Sequence, residues 1–213
     1  MGVTLPAGVS LAETSTSSAS RFSLDGIGLA LRGREARTID GATHAAAVAL
    51  VLRPKGRGLE ALFIKRADHP NDPWSGHVGL PGGRAEEADS GLVHTAIRET
   101  EEEIGLRLTP EGHLLGPLDE TRATARTRLL DMKIAPFVFV ALDAPDSLTL
   151  SEEVAATHWI PLTDLFDSLH ASSLTMQHAG QTLRFPAIEI RGLTIWGLTL
   201  RMLRNFESLV ASR

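Results

Sequence analysis

The chain has 213 residues, and 21 lysines and arginines stand against 26 aspartates and glutamates, so its formal net charge is -5. This length suits one domain, and the acidic balance argues against a protein that grips nucleic acid through a broad basic face. Cysteine is absent, which excludes disulfides, thiolate zinc sites and cysteine nucleophiles. The longest apolar run, 135–142, is too short to span a bilayer, and the N-terminus lacks a signal-peptide pattern. We therefore expect a cytoplasmic protein without a membrane partner.

Small and polar residues fill the start of the chain. They predict a flexible N-terminal segment over 1–20, followed by a single domain over 21–213 that ends in a helix. Apolar residues between Phe22 and Leu31 predict a short helix that stops near Gly33.

Strand patterns and helix patterns interleave along the rest of the chain. The apolar run 45–52, closed by Pro54, predicts a buried strand. Further strands are predicted at 59–66, 114–118, 134–142, 158–161 and 182–190. A loop rich in glycine and proline is predicted at 68–83, and apolar residues at helical spacing predict helices over 90–104 and 194–210. The class is therefore mixed, α+β.

The helix over 90–104 is acidic on one side. Glu99, Glu102 and Glu103 stand at i, i+3 and i+4, so they share a face, and Arg98 is placed to hold Glu102. Asp89 or Ser90 is expected to cap the start of the helix, and Gly105 to end it. Clustered carboxylates repel one another, and a hard cation such as Mg²⁺ or Mn²⁺ would reverse that energy. A solvated acidic face remains the alternative interpretation.

A glycine turn comes just before this helix. In the sequence Pro81-Gly82-Gly83 the missing side chains let the backbone approach a ligand or a metal closely. The turn therefore places bare backbone just before the acidic face, where a metal or a ligand could approach it.

Residues 80–106 read LPGGRAEEADSGLVHTAIRETEEEIGL. This stretch resembles the signature of the Nudix hydrolases: Gly83 is followed after five residues by Asp89, and the sequence from Arg98 to Leu106 matches the second half. Two features depart from the usual pattern. Asp89 stands where the family usually has a glutamate, with one extra residue between it and Arg98, and Thr100 is polar where an apolar residue is usual. With the flanking strands, the resemblance covers 45–165.

The resemblance implies a Nudix-type α/β/α sandwich with a mixed β-sheet and a strand–loop–helix signature. It implies an enzyme that uses Mg²⁺ or Mn²⁺ to hydrolyse a diphosphate joined to a nucleoside or a similar group. Arg98 would orient the glutamates. Of the adjacent Glu152 and Glu153, Glu153 would act as a base or a further metal ligand, and an inert pair of acids in a solvent-exposed loop is the alternative. The implied metal ligands are the Gly83 carbonyl, Glu99, Glu102 and Glu103.

A wider stretch resembles the coenzyme A diphosphatase subgroup. The matching pieces are 62–66, 76–83, 95–99 and 195–199, whereas Ala67, Asn71, Gly79 and Leu80 depart from the subgroup's upstream pattern. The resemblance implies cleavage of coenzyme A to 3′,5′-ADP and 4′-phosphopantetheine. Cleavage of ADP-ribose or another nucleoside diphosphate derivative is the alternative.

A polyanionic substrate of an acidic protein needs local basic groups. The candidates for substrate binding are Arg66 and Arg84, Gly82 and Gly83 in the turn, and Arg126 with its neighbour Arg128. A solvated basic loop is the alternative for 122–128. Trp74 could stack on a base or cap the core.

Two other classes of protein compete with the enzyme. A nucleotide-sensing module of the same fold would usually have lost part of the glutamate set, which is complete here. An accidental acidic helix does not account for the Gly-Gly turn and the full Arg-Glu-x-x-Glu-Glu-x-Gly spacing. The expected partner is a small nucleotide, and a homodimer is a further possibility.

Overall fold

A computed structural model describes residues 22–69, 75–125, 128–178 and 180–211. The predicted segment 1–20 and two candidate substrate contacts, Trp74 and Arg126, lie outside the described residues.

The larger sheet is mixed. Its strands are β1 (His44–Lys55), β2 (Gly58–Arg66), β3 (Val78–Gly79), β4 (Gly82–Arg84), β5 (Leu114–Pro117), β6 (Thr121–Ala125), β7 (Arg128–Val140) and β8 (Val154–Pro161). The β1–β2 hairpin is antiparallel, whereas β1 and β7 run parallel with Ala49 opposite Phe137. The remaining pairings, β4 with β1 and β8 with β2 among them, are antiparallel. The mixed sheet confirms this part of the predicted fold.

Helices cover both faces of the sheet because β1 is apolar on both sides. Leu50 and Leu52 pack in one core with α1 (Leu24–Leu31) and the C-terminal helix. Ala49 and Val51 pack in a second core with α2 (Leu92–Ile104). The predicted sandwich of helix, sheet and helix layers is therefore confirmed.

Helix α2 carries the acidic signature on one side and packs on the sheet through an apolar face. Ala96, Thr100 and Ile104 are fully buried, and Val93 and Ile97 pack on the same core. The Thr100 hydroxyl donates 2.6 Å to the carbonyl of Ala96, so its polar group is satisfied inside the helix. Gly105 ends the helix in the left-handed conformation with φ 67°, as predicted.

Two short helices flank the last strands of the larger sheet: α3 (Pro110–His113) precedes β5, and α4 (Leu162–Leu165) follows β8. After a 3-10 turn, the chain forms a second sheet, here called the C-terminal sheet, from β9 (Ala171–His178), β10 (Gln181–Ile190) and β11 (Leu193–Trp196). The sequence did not predict β3, β4, β6, β9 or β11, and β3 and most of β4 fall in the segment 68–83 that was predicted as a loop. Residues 194–196 were predicted to begin the last helix, but they form β11, with Thr194 opposite Glu189, and α5 (Gly197–Ala211) starts after them. The β-branched Thr194 and Ile195 favour the strand.

Within the described residues, no helix has the length and apolar character needed to cross a membrane.

Candidate active site

The glycine turn is a short strand, β4, that lies against β1. A Cβ on Gly82 would fall 2.2 Å from the carbonyl oxygen of Ala47, and its φ of 146° lies in a region that disfavours side chains. A Cβ on Gly83 would instead fall 2.5 Å from the carboxylate of Glu99. The two glycines thus bring bare backbone against a strand on one side and a glutamate on the other.

Glu103 is the buried acid of the signature. Its carboxylate accepts a 2.9 Å hydrogen bond from the backbone N–H of Gly82 and lies 3.7 Å from the Arg66 guanidinium. Burial raises the pKa of Glu103 to about 7, and the charges of Glu99 and Glu153 add to the rise against the opposing effects of Gly82 and Arg66. A nearby cation would stabilise the ionised form of this buried carboxylate.

Arg98 joins the other acids of the signature. Its guanidinium donates to both carboxylate oxygens of Asp89, at 3.0 and 3.1 Å, and to one oxygen each of Glu99 and Glu102, both at 2.9 Å. A fifth bond, 3.0 Å long, goes to the carbonyl of Arg84. Burial raises the pKa of Glu99, and Arg98 counteracts that rise. The five bonds fix the guanidinium between β4 and the helix.

Asp89 has a different role from the predicted helix cap. The N-cap residue of α2 is Gly91, and no side chain caps it, so the prediction of Asp89 or Ser90 was wrong. Besides Arg98, the Asp89 carboxylate accepts bonds from the Thr95 hydroxyl at 2.8 Å and the Glu86 N–H at 3.0 Å. The Arg98 hydrogen bond is the main reason that the pKa of Asp89 lies well below its usual range. The aspartate is occupied by the arginine instead of the helix terminus.

Replacing Asp89 by asparagine is expected to cost about 2 to 4 kcal/mol of unfolding free energy at pH 7, because Arg98 then lacks a bidentate partner. A lowered pKa in the folded state means that this stability is present above about pH 4 and is lost as the pH falls further. The difference between wild type and D89N in urea unfolding should therefore shrink between pH 5 and pH 3. The exposed Glu87, replaced by glutamine, is the control, and an equal loss in E87Q would contradict the assignment.

Glu153 lies in a loop that is attached to the signature helix. The N–H of Ser151 donates 2.9 Å to the carbonyl of Glu103, and the N–H of Ala67 donates 2.8 Å to the carbonyl of Glu153. The exposed Glu153 carboxylate is close enough for its charge to raise the pKa of both Glu99 and Glu103. The fold thus brings this acid, remote in sequence, to the same end of the sheet.

A cavity of about 450 Å³ opens beside the glycine turn. Four of the predicted substrate contacts line it, namely Arg66, Gly82, Gly83 and Arg84. Sequence reasoning missed an apolar part of the lining, in which the largest side chains are Met132, Met176, Trp196 and Met202. No local pattern could have revealed it, because these residues come from four separate elements.

The NUDIX domain family model matches residues 42–180, which is more than half of the chain. The chain belongs to the Nudix family. The uncharacterized Nudix hydrolase NudL of Yersinia enterocolitica is 31% identical over 174 residues, which cover 78% of this chain and 81% of that protein. This chain is thus a Nudix hydrolase, a member of a family of pyrophosphohydrolases that use divalent metals.

Two further comparisons show a partial relative and a likeness of fold. The uncharacterized protein C14C4.10c of Schizosaccharomyces pombe is 38% identical over 106 residues, which are 49% of this chain but only 32% of that protein. The chain thus spans about a third of that relative's length. A crystal structure of a MutT/nudix family protein from Enterococcus faecalis aligns with a TM-score of 0.52 at 17% identity, over 96% of this chain and 76% of that one. This last likeness is one of fold.

The acids of the Nudix signature suit a hard divalent cation by their chemistry. Glu103 is a buried carboxylate with a raised pKa, and Glu99 lies against the backbone of Gly83. Glu102 is the exposed member, with 58% of its side chain accessible. Among the described residues, no three acidic or histidine side chains converge on one point; Arg98 holds Glu99 and Glu102 in ion pairs. The signature therefore offers carboxylate oxygens to a cation, and two of these carboxylates, those of Glu99 and Glu102, are bound by Arg98.

Proposed function

We propose that this Nudix hydrolase cleaves the diphosphate linkage of coenzyme A or its derivatives, giving 3′,5′-ADP and 4′-phosphopantetheine. The observation that carries the proposal is the buried Glu103, which is bonded to Gly82, a residue that lines the same cavity as Arg66 and Arg84. Buried acid, bare backbone and basic side chains at one cavity suit a substrate with a diphosphate at its centre.

The acids and the glycine turn would hold Mg²⁺ or Mn²⁺. Glu99, Glu102, Glu103 and the carbonyl of Gly83 are the proposed ligands, and when bound the cation neutralises diphosphate charge and lowers the pKa of a water. Arg98 is anchored by its bonds to Asp89 and to the carbonyl of Arg84, and it holds Glu102 and Glu99, the latter beside Gly83, in ion pairs. Its role in the proposal is to position the glutamates.

Water adds across the P–O–P bond, so one proton must leave the water and the departing phosphate must gain one. Glu153 is the proposed base, because its charge acts on both Glu99 and Glu103 and its side chain is exposed to solvent. Arg66, 3.7 Å from Glu103, and Arg84 would bind phosphate oxygens of the substrate. Gly82 presents its N–H to Glu103 and keeps that carboxylate in place.

Coenzyme A is favoured over simpler diphosphates by the matching pieces 62–66, 76–83 and 195–199. Its 3′-phosphate needs a basic group beyond the metal ligands, and Arg84 is exposed at the edge of the cavity. ADP-ribose is the second candidate, because Ala67 and Asn71 depart from the coenzyme A pattern.

The test of the substrate is a comparison of kcat/KM for coenzyme A, dephospho-coenzyme A and ADP-ribose with Mg²⁺ and with Mn²⁺. Coenzyme A should be the best of the three. Replacing Arg84 by alanine should lower the preference for coenzyme A over dephospho-coenzyme A by about tenfold, since a hydrogen bond between charged groups is lost. The carbonyl of residue 84 that accepts from Arg98 is kept in this variant.

Arg57, exposed in the β1–β2 turn, supplies the control variant R57A, which should leave the preference unchanged. A clear preference for ADP-ribose would overturn the choice of substrate and leave the reaction class intact. If the protein turns over none of the three substrates, and neither dinucleoside polyphosphates nor nucleoside triphosphates, the nucleotide-sensing module is favoured instead.

A further inference from the structure

The cavity lining contains two chemically different sets of residues. One set is polar or bare backbone, with Arg66 at the end of β2, Arg84 and the glycine turn in the signature region, and His77, Thr124 and Thr199 outside it. The other set, here called the apolar wall, consists of Met132, Met176, Trp196 and Met202. The sequence has four methionines, and three of them stand in this wall.

The indole of Trp196 is fixed by the residues around it. Its ring centre lies 5.0 Å from that of His77 in an edge-on arrangement and 5.6 Å from that of Phe185. Trp196 ends β11, and the hydroxyl of Thr199, one turn further on, donates 3.3 Å to the carbonyl of Val78. The start of α5, directly after β11, is thereby joined to β3, and the half-buried indole lies at the cavity surface.

Two of the four residues of the apolar wall lie beyond the segment that the family model matches. The NUDIX match ends at residue 180, whereas Trp196 and Met202 follow it in β11 and α5. Met176 is within the match but belongs to the same C-terminal sheet. The signature region thus lines one part of the cavity and the C-terminal elements line another, which makes those elements a place where substrate choice can be set.

We propose that the apolar wall binds the nucleobase of the substrate by its flat faces, with Trp196 and Met176 as specificity-determining residues. This inference rests on the proposed function, in which the diphosphate lies at Arg66 and Arg84. An indole and thioethers form favourable contacts with an aromatic ring, and stacking of a base on an aromatic side chain is a common source of affinity. A volume of about 450 Å³ lies within the usual range of small-ligand sites.

The other half of coenzyme A fits the wall less well. The pantetheine arm carries amide groups, and an amide buried without a hydrogen-bond partner is costly. The methionine and tryptophan side chains of the wall offer at most one N–H, and no carbonyl or hydroxyl. The wall therefore selects the base, and the arm extends elsewhere.

The experiment is a calorimetric titration of metal-free protein with AMP, ribose 5-phosphate and 4′-phosphopantetheine, so that binding is measured without turnover. We expect AMP to bind wild type more tightly than ribose 5-phosphate does. W196A and M176A should each weaken AMP binding at least about fivefold, the low end of what base stacking contributes, and W196F should retain most of the affinity. Gln177 is adjacent to Met176 and exposed, so Q177A should bind AMP like wild type.

Unchanged AMP binding in W196A and M176A would overturn the inference, as would an absence of AMP binding to wild type. The inference would also be overturned if W196A weakened the binding of 4′-phosphopantetheine and left that of AMP unchanged, because the wall would then bind the other half of the substrate. If W196A does not fold, M176A and W196F carry the test. Binding of AMP that depends on Trp196, in a protein that hydrolyses no diphosphate, would refute the proposed function and leave the inference standing.

Discussion

Replacing Glu103 by glutamine is expected to lower kcat/KM for the diphosphate substrate by at least about 100-fold, because even the outer-shell partners of metal ligands are worth 10- to 100-fold. The amide oxygen can still accept the 2.9 Å bond from Gly82, so the fold should be preserved. The measurement is steady-state hydrolysis over a range of Mg²⁺ and Mn²⁺ concentrations. Glu101, exposed on the same helix and paired with Arg107, supplies the control E101Q, which should keep wild-type activity.

In the absence of metal, E103Q should be more stable than wild type although it is less active. Burial raises the pKa of Glu103 to about 7, so the metal-free wild type is most stable with this group protonated and loses stability as the pH rises from about 5 to 8. Metal-free E103Q does not titrate there and should be more stable at pH 8, by about 2 kcal/mol. Mg²⁺ should raise the melting temperature of wild type and not of E103Q. Equal activity, or equal stabilisation by Mg²⁺, would show that Glu103 is not a ligand.

Alanine at Gly82 is expected to destabilise the protein by at least about 3 kcal/mol, since the new methyl group would meet the main chain of β1 and the φ of 146° is strained for alanine. Alanine at Gly83 meets only the movable carboxylate of Glu99. G83A should therefore unfold within about 1 kcal/mol of wild type yet lose about tenfold or more in kcat, because Glu99 is displaced.

Urea unfolding and steady-state kinetics on both variants separate these two effects. Gly58 has open space around its Cα, and G58A is the control that should change neither quantity much. If G82A were as stable as wild type, the close approach of β4 to β1 would be wrong. If G83A kept full activity, the position of Glu99 beside Gly83 would not matter for catalysis.

The parts of the fold that the sequence predicted are those set by local periodicity. The run 45–52 is apolar on every position, which indicates a strand buried on both faces, and β1 is such a strand. The apolar arc of α2 follows from a spacing of 3.6 residues, and Gly105 ends the helix because it tolerates a positive φ. These signals lie within a few residues of one another, so no tertiary information is needed.

The parts that escaped prediction depend on contacts between distant segments. Asp89 has the chemistry of a helix cap, but the guanidinium of Arg98, nine residues on, binds it instead. Strand β9 has no clear alternation of apolar and polar residues, and it forms because β10 pairs with it along its length. The apolar wall of the cavity exists only once Met176 and Trp196 are brought beside β3 and the glycine turn.

The most direct test of the metal-dependent hydrolysis is ³¹P NMR of coenzyme A incubated with the purified protein. With Mg²⁺ or Mn²⁺ present, the diphosphate signals should disappear and be replaced by phosphomonoester signals from 3′,5′-ADP and 4′-phosphopantetheine. With EDTA in place of the cation, the diphosphate should persist. Cleavage at the same rate in EDTA, or intact diphosphate with each cation while E103Q and wild type behave alike, would contradict the account.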